Sequence, residues 1–119
     1  MNKSITLLAA AALLTGCSSS AALQRQMLAG DKPIAEFTSS KSQAAISSCI
    51  EDGMRPLVGV GQKLSVTDEG QTRILWVTNL GNPFATARVT PTEGGSVVDY
   101  RVRFRGSAQP FTNAVMACR

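Results

Sequence analysis

The sequence predicts an α+β fold with one helix, a four-stranded antiparallel meander sheet and a second helix at the C-terminus. Apolar residues recur with the 3.6-residue period of a helix between Lys41 and Met54. After Pro56 the period changes to 2, and segments containing Gly, Asn or Pro separate the β-rich runs. Because sequential strands joined by short turns pair with their neighbours, we expect one meander with both helices on one face.

The first predicted helix follows a short extended segment, Pro33 to Phe37, whose apolar residues are available to the core. Ser39 or Ser40 can cap the helix, since a serine side chain accepts hydrogen bonds from first-turn amides. The apolar positions then mark one helical face: Ala45, Ile46, Cys49, Ile50, Gly53 and Met54. Gly53 and Pro56 are expected to end the helix.

Four strands follow in the prediction, at Gln62–Thr67, Thr72–Thr78, Ala85–Thr90 and Val97–Arg105. The second strand carries four consecutive apolar residues, 74–77, so we expect burial on one side and partial cover on the other. The last strand alternates most clearly, with Val98, Tyr100, Val102 and Phe104 facing the core. A closing helix over 110–119 places Phe111, Ala114, Val115 and Cys118 on one side.

The N-terminus has the pattern of a targeting segment. Lys3 supplies a positive charge, and an apolar run from Ile5 to Leu14 is shorter than the roughly 20 residues that span a bilayer. Leu14-Thr15-Gly16-Cys17 resembles the lipobox of bacterial lipoprotein precursors. The resemblance implies that residues 1–16 are removed and that Cys17 becomes a lipidated N-terminus. The alternative is an ordinary secretory signal that is cleaved elsewhere.

This resemblance divides the chain into a signal peptide (1–16), a lipidated flexible tether (17–32) and an α+β periplasmic domain (33–119). By the enterobacterial sorting rule, Ser18 after the lipidated cysteine favours the outer membrane. The length after processing suits one domain. A tether of this length spans roughly 20 Å on average, so the domain should stay close to its membrane.

The remaining cysteines, Cys49 and Cys118, are expected to form a disulfide between the two helices. Lipidation uses Cys17, and disulfides persist in exported compartments. Two free thiols or a metal-binding pair are the alternatives. The chain has no histidine, and two cysteines alone cannot complete a zinc site.

Taken with Phe37-x-Ser39-x-Lys41-Ser42, Cys49-Ile50 and the terminal Cys118, the lipobox makes the whole chain similar to small single-domain lipoproteins of Gram-negative bacteria. That resemblance implies a location and an α+β fold, and it carries no activity.

No catalytic constellation is visible, so we predict a protein that is not an enzyme and holds no cofactor or metal. Without histidine, the usual activation of a serine nucleophile is missing. The acidic pairs Glu51-Asp52 and Asp68-Glu69 are typical of solvated surface. The net charge of +4 includes no Lys/Arg block of the kind that binds nucleic acid.

The candidate binding residues lie on the predicted outer sheet face: Arg73, Arg88, Arg101, Arg103, Arg105 and Trp76. Aligned guanidinium groups could bind an anionic envelope component or an acidic protein surface. The alternative is a solvated face whose charges prevent aggregation, with Trp76 in the core. We therefore expect a membrane-anchored, non-catalytic binding or structural module of the envelope. The second candidate is a periplasmic inhibitor or immunity protein against a toxin or hydrolase.

Overall fold

The computed structural model describes residues 33–119, so the predicted signal peptide (1–16) and the tether with its Cys17 (17–32) lie outside the described residues. The described chain folds as two helices and a five-stranded antiparallel sheet. Its elements are β1 Ala35–Ser39, α1 Gln43–Met54, a 3-10 turn Arg55–Leu57, β2 Gln62–Glu69, β3 Thr72–Asn79, β4 Asn82–Thr92, β5 Gly95–Val102 and α2 Gln109–Met116. The α+β class is confirmed, whereas the predicted number of four strands is wrong.

The fifth strand is the extended segment before the first helix, which becomes β1 at the edge of the sheet. β1 pairs antiparallel with β5, with Ala35 opposite Tyr100 and Phe37 opposite Val98. The amide nitrogen of Ile34 also donates to the carbonyl oxygen of Tyr100, at 2.8 Å. The sheet order is therefore β1-β5-β4-β3-β2. This pairing joins segments about sixty residues apart, which no local pattern can reveal.

The N-cap of helix α1 lies two to three residues after the serines proposed for it. Ser42 is the N-cap, and its hydroxyl accepts a hydrogen bond from the amide nitrogen of Ala45 at 3.2 Å. The prediction of Ser39 or Ser40 is wrong because β1 continues through Ser39. The hydroxyl of Ser39 instead accepts from the amide nitrogen of Lys41 in the connection between the two elements.

Both helices pack on the same face of the sheet, as predicted. The buried cluster between the layers includes Ile46, Ile50 and Met54 from α1, Phe111 and Val115 from α2, and Leu75, Val77, Ala87, Val89, Val98 and Tyr100 from the sheet. The helices approach closely at Gly53, where an added Cβ would lie 3.2 Å from the Cβ of Ala114. Cys49 and Cys118 form the predicted disulfide, with their Cα atoms 5.9 Å apart.

The end of β5 differs most from the prediction. The strand ends at Val102. One residue later, the amide nitrogen of Arg103 still donates a hydrogen bond to the carbonyl oxygen of Phe84 in β4, at 3.0 Å. Phe104 is consequently 59 % exposed, so its predicted place in the core is wrong. A different aromatic residue, Phe84, lies in the core, at an irregularity in the β3–β4 register. Its ring meets Phe111 edge to face at 5.8 Å.

None of the helices within residues 33–119 has the length and apolar character needed to cross a membrane.

Candidate functional site

The predicted arginine face corresponds to the outer face of the sheet, which is the face turned away from the helices. Arg88 and Arg101 alternate with core residues of β4 and β5 and lie on this face. Arg101 pairs with Asp99 through two hydrogen bonds, of 2.9 and 3.3 Å. Arg88 stands directly opposite the same Asp99 in the strand register. Basic and acidic groups therefore lie side by side on this face.

The other three arginines of the predicted row lie elsewhere. Arg73 is in register with the core residue Val89, so it projects on the helix side, and its Nε lies 3.1 Å from a carboxylate oxygen of Asp68. Arg103 and Arg105 follow the end of β5. The five arginines therefore do not form one row. Arg73 faces the helix side, and Arg103 and Arg105 follow Val102, beyond which the alternation of a strand no longer applies.

The centre of the outer face is closed to solvent, contrary to the expected open face. Ile74 and Thr86 are 0 % exposed and Trp76 is 8 % exposed. Trp76 stands opposite Thr86, which in turn stands opposite Arg101, so it lies on the arginine side of the sheet. Its indole nitrogen and Nε of Arg88 are buried without a hydrogen-bond partner among the described residues.

Exposed apolar residues gather instead at one end of the sheet, which we name the Pro33 end. The described chain begins there, since Ile34 bonds to Tyr100 near the end of β5. The start of β2 is at the same end, because Gln62 pairs with Asn79, and so is the β3–β4 turn. The opposite end carries the β2–β3 and β4–β5 turns, and we name it the Gly70 end.

The Leu80–Phe104 patch, defined as Val60, Leu80, Arg103, Phe104 and Arg105, occupies the Pro33 end. Val60 is fully exposed, Leu80 is 80 % exposed, and both arginines are exposed beside Phe104. A cavity of about 330 Å³ opens within it, lined by Asn79, Leu80, Asn82, Pro83, Phe84, Arg103 and Phe104. Its lining combines four apolar residues with two asparagines and one arginine, and it includes no acidic residue. An exposed apolar cluster of this kind is typical of an interaction surface.

Leu80 is held in place by its backbone. It forms a two-residue turn with Gly81, and both residues have positive φ, 51° and 82°. Such turns favour Asn or Gly at the first position, because a left-handed conformation is unfavourable for a leucine. The amide nitrogen of Leu80 donates to the carbonyl oxygen of Gly61 at 2.7 Å. The turn therefore presents an apolar side chain to solvent at the expense of backbone strain.

Charge differs between the two ends of the sheet. The Gly70 end holds three acidic residues, Asp68 and Glu69 at the end of β2 and Glu93 in the β4–β5 turn. It also holds two basic residues, Arg73, which pairs with Asp68, and the exposed Lys41, whose carbonyl oxygen accepts from the Ser96 hydroxyl. The Pro33 end carries the two arginines of the patch, for which no ion pair is found among the described residues. At the nearby end of α1, Glu51 and Arg55 form an ion pair, and the exposed Asp52 adds one negative charge.

Sequence reasoning missed the apolar members of the patch, although two signals were present. A leucine stands between Asn79 and Gly81, where a turn normally carries polar residues. Val60 likewise stands between two glycines. Phe104 gave no signal, because the alternation of apolar and polar residues predicts it in the core. It lies outside the core because β5 ends at Val102, two residues earlier.

The described residues include no group of three or more His, Cys, Asp or Glu side chains that could hold a metal ion. Burial raises the pKa of Tyr100 to about 12, although a hydrogen bond from the hydroxyl of Thr112 opposes the shift. Tyr100 lies in the core between sheet and helices, so we assign it to the fold. Comparison with protein-family models, curated proteins and solved structures gave no match for this chain.

Proposed function

We propose that this chain is a lipid-anchored protein of the bacterial cell envelope whose folded part is a non-catalytic binding module. Cys17 carries the anchor, the outer membrane is the site, and the domain faces the periplasm. The Leu80–Phe104 patch is the binding surface.

The observation that carries this proposal is the exposure of Leu80 in a strained turn. A turn selected only for stability would carry Asn or Gly at this position, and Leu80 is neither. Phe104 lies with it at the same cavity, and an exposed cluster of large apolar residues marks an interaction surface. Backbone strain retained at an exposed site is characteristic of functional positions.

The anchor is supported by the residues around Cys17. A basic start, a short apolar run and small residues before a cysteine together meet the requirements for lipoprotein processing. The Cys49–Cys118 disulfide agrees with an exported protein, because such bonds persist outside the cytosol.

The anchor is tested by expressing the full chain and its Cys17→Ser variant in a Gram-negative host. The expected N-terminal peptide of the native chain begins at Cys17 and carries acyl chains in the mass spectrum. The variant should lose the acyl mass and leave the membrane fraction. An unmodified N-terminus at another residue in the native chain would disprove the anchor.

The binding surface is tested by a photo-crosslinking amino acid at position 80, with position 93 as the matched control. Both positions are exposed turn residues, and they lie at opposite ends of the sheet. We expect adducts with an envelope component from position 80 and none from position 93. Equal yields would remove the patch as the binding surface. An adduct with a toxin or hydrolase would favour the inhibitor function.

A further inference from the structure

We infer that the Leu80–Phe104 patch docks on the anionic surface of the bilayer that holds the lipid anchor. This inference rests on the proposed function, because it requires acylated Cys17. It adds an orientation, in which the Pro33 end of the domain lies against the membrane and the Gly70 end points into the periplasm.

The first argument is the position at which the chain enters the domain. Pro33 and the patch share one end of the sheet, through the bond from Ile34 to Tyr100 and the nearby end of β5 at Val102. The residues between Cys17 and Pro33 reach no more than ~55 Å when fully extended. A tether of this length therefore keeps the end from which it starts close to the bilayer.

The second argument is the chemistry of the patch. Leu80 and Phe104 project from a turn and from the segment after β5, so their side chains can enter the lipid interface without any change in the sheet. Arg103 and Arg105 flank Phe104, and long basic side chains keep their charge at headgroup level while their stems cover apolar surface. Apolar residues accompanied by basic ones are characteristic of interfacial membrane contact.

The third argument is the charge difference between the two ends. An anionic surface attracts the two arginines, whereas at the opposite end Glu69 and Glu93 outnumber the exposed Lys41, so that end is repelled on balance. Each arginine near such a surface strengthens binding by roughly five-fold. The same arginines disfavour a symmetric dimer through this patch, because a two-fold contact would bring like charges together.

The experiment uses the lipidated chain in vesicles of phosphatidylethanolamine and phosphatidylglycerol in equal amounts. Acylation and the disulfide occupy all three native cysteines, so Leu80→Cys introduces the single free thiol for an environment-sensitive nitrobenzoxadiazole dye. The matched control is Val66→Cys, an exposed apolar position on β2 outside the patch. A second control is Glu93→Cys at the Gly70 end.

We expect several-fold brighter, blue-shifted emission at position 80, with quenching by spin-labelled lipids, and water-like emission at positions 66 and 93. Adding Arg103→Gln and Arg105→Gln should weaken the signal at position 80, whereas Lys41→Gln with Arg119→Gln should leave it unchanged. Phosphatidylcholine vesicles should give a weaker signal than the anionic ones.

The inference fails if the dye at position 80 gives water-like emission in a chain whose mass shows that it is acylated. It also fails if the emission at position 80 depends on the protein-to-lipid ratio and is not quenched by spin-labelled lipids. That result would show that a second copy of the chain covers the patch. Neither result affects the anchor. An unacylated chain, in contrast, contradicts the proposed function itself, so the two failures are distinguishable.

Discussion

Leu80 and Gly61 form the contact that fixes the β3–β4 turn against the start of β2. The amide nitrogen of Leu80 donates to the carbonyl oxygen of Gly61 at 2.7 Å, and a Cβ added at Gly61 would lie 2.9 Å from a terminal carbon of Leu80. The leucine side chain therefore rests on backbone while most of its surface faces solvent. The contact presents an apolar group at a defined position, in a conformation that leucine disfavours.

Replacing Leu80 by Asn should stabilise the domain while weakening its binding. Asn adopts the left-handed conformation more readily, so we expect the free energy of unfolding to rise by about 1 kcal/mol. Urea denaturation measures this change. Leu80→Ala is the control, since it removes the apolar surface and keeps the backbone strain. If Leu80→Ala raised the free energy of unfolding as much as Leu80→Asn, the backbone strain would have no role.

Replacing Gly95 by Ala should destabilise the domain by about 3 kcal/mol, because the position combines positive φ with close packing. The φ of Gly95 is 156°, and an added Cβ would lie 1.9 Å from the carbonyl oxygen of Ser39, at the end of β1. Thermal unfolding measures the loss. The matched control is the neighbouring Gly94→Ala, where an added Cβ meets nothing within 4 Å. Equal effects of both substitutions would contradict this reason.

Removing the disulfide by Cys49→Ser with Cys118→Ser should lower the free energy of unfolding by about 4 kcal/mol. The bond joins residues 69 positions apart, and closing a loop of this length restricts the unfolded chain strongly. Denaturation with and without a reductant tests this. The native chain should lose stability on reduction and the double variant should not. A native chain indifferent to reduction would disprove the stabilising role.

Alkaline conditions should destabilise the domain through Tyr100. Burial raises the pKa of its phenol to about 12, so the neutral form is favoured in the folded state. The resulting stability is fully present below pH 10 and is lost as the pH rises towards 12, with a total of about 3 kcal/mol. Since the chain has one tyrosine, tyrosinate absorbance reports this residue alone.

The control for this pH dependence is Tyr100→Phe, which should flatten the loss of stability between pH 10 and 12. The variant also loses the acceptor for the Thr112 hydroxyl, so its stability at neutral pH is measured separately. A native titration midpoint at the ordinary value of 10 would contradict the assignment.

Sequence reasoning recovered the features that local patterns encode. The 3.6-residue period located α1, and alternation located β5 up to Val102. One of its errors arose because a strand has no internal signal for where it ends. Extending β5 to Arg105 placed Phe104 in the core and aligned three arginines that the structure separates.

The sequence by itself determined the α+β class, both helices, the order of the meander strands and the cysteine pair of the described domain. These follow from periodicity, turn chemistry and the number of cysteines, each of which is local or compositional. Only the tertiary structure decided that residues 35–39 pair with β5, that Arg101 pairs with Asp99, and that Leu80 and Phe104 line one cavity. These relations depend on which distant segments lie side by side. The packing of the helices on one face of the sheet sets strand order and strand ends, and that packing is not encoded in any local pattern.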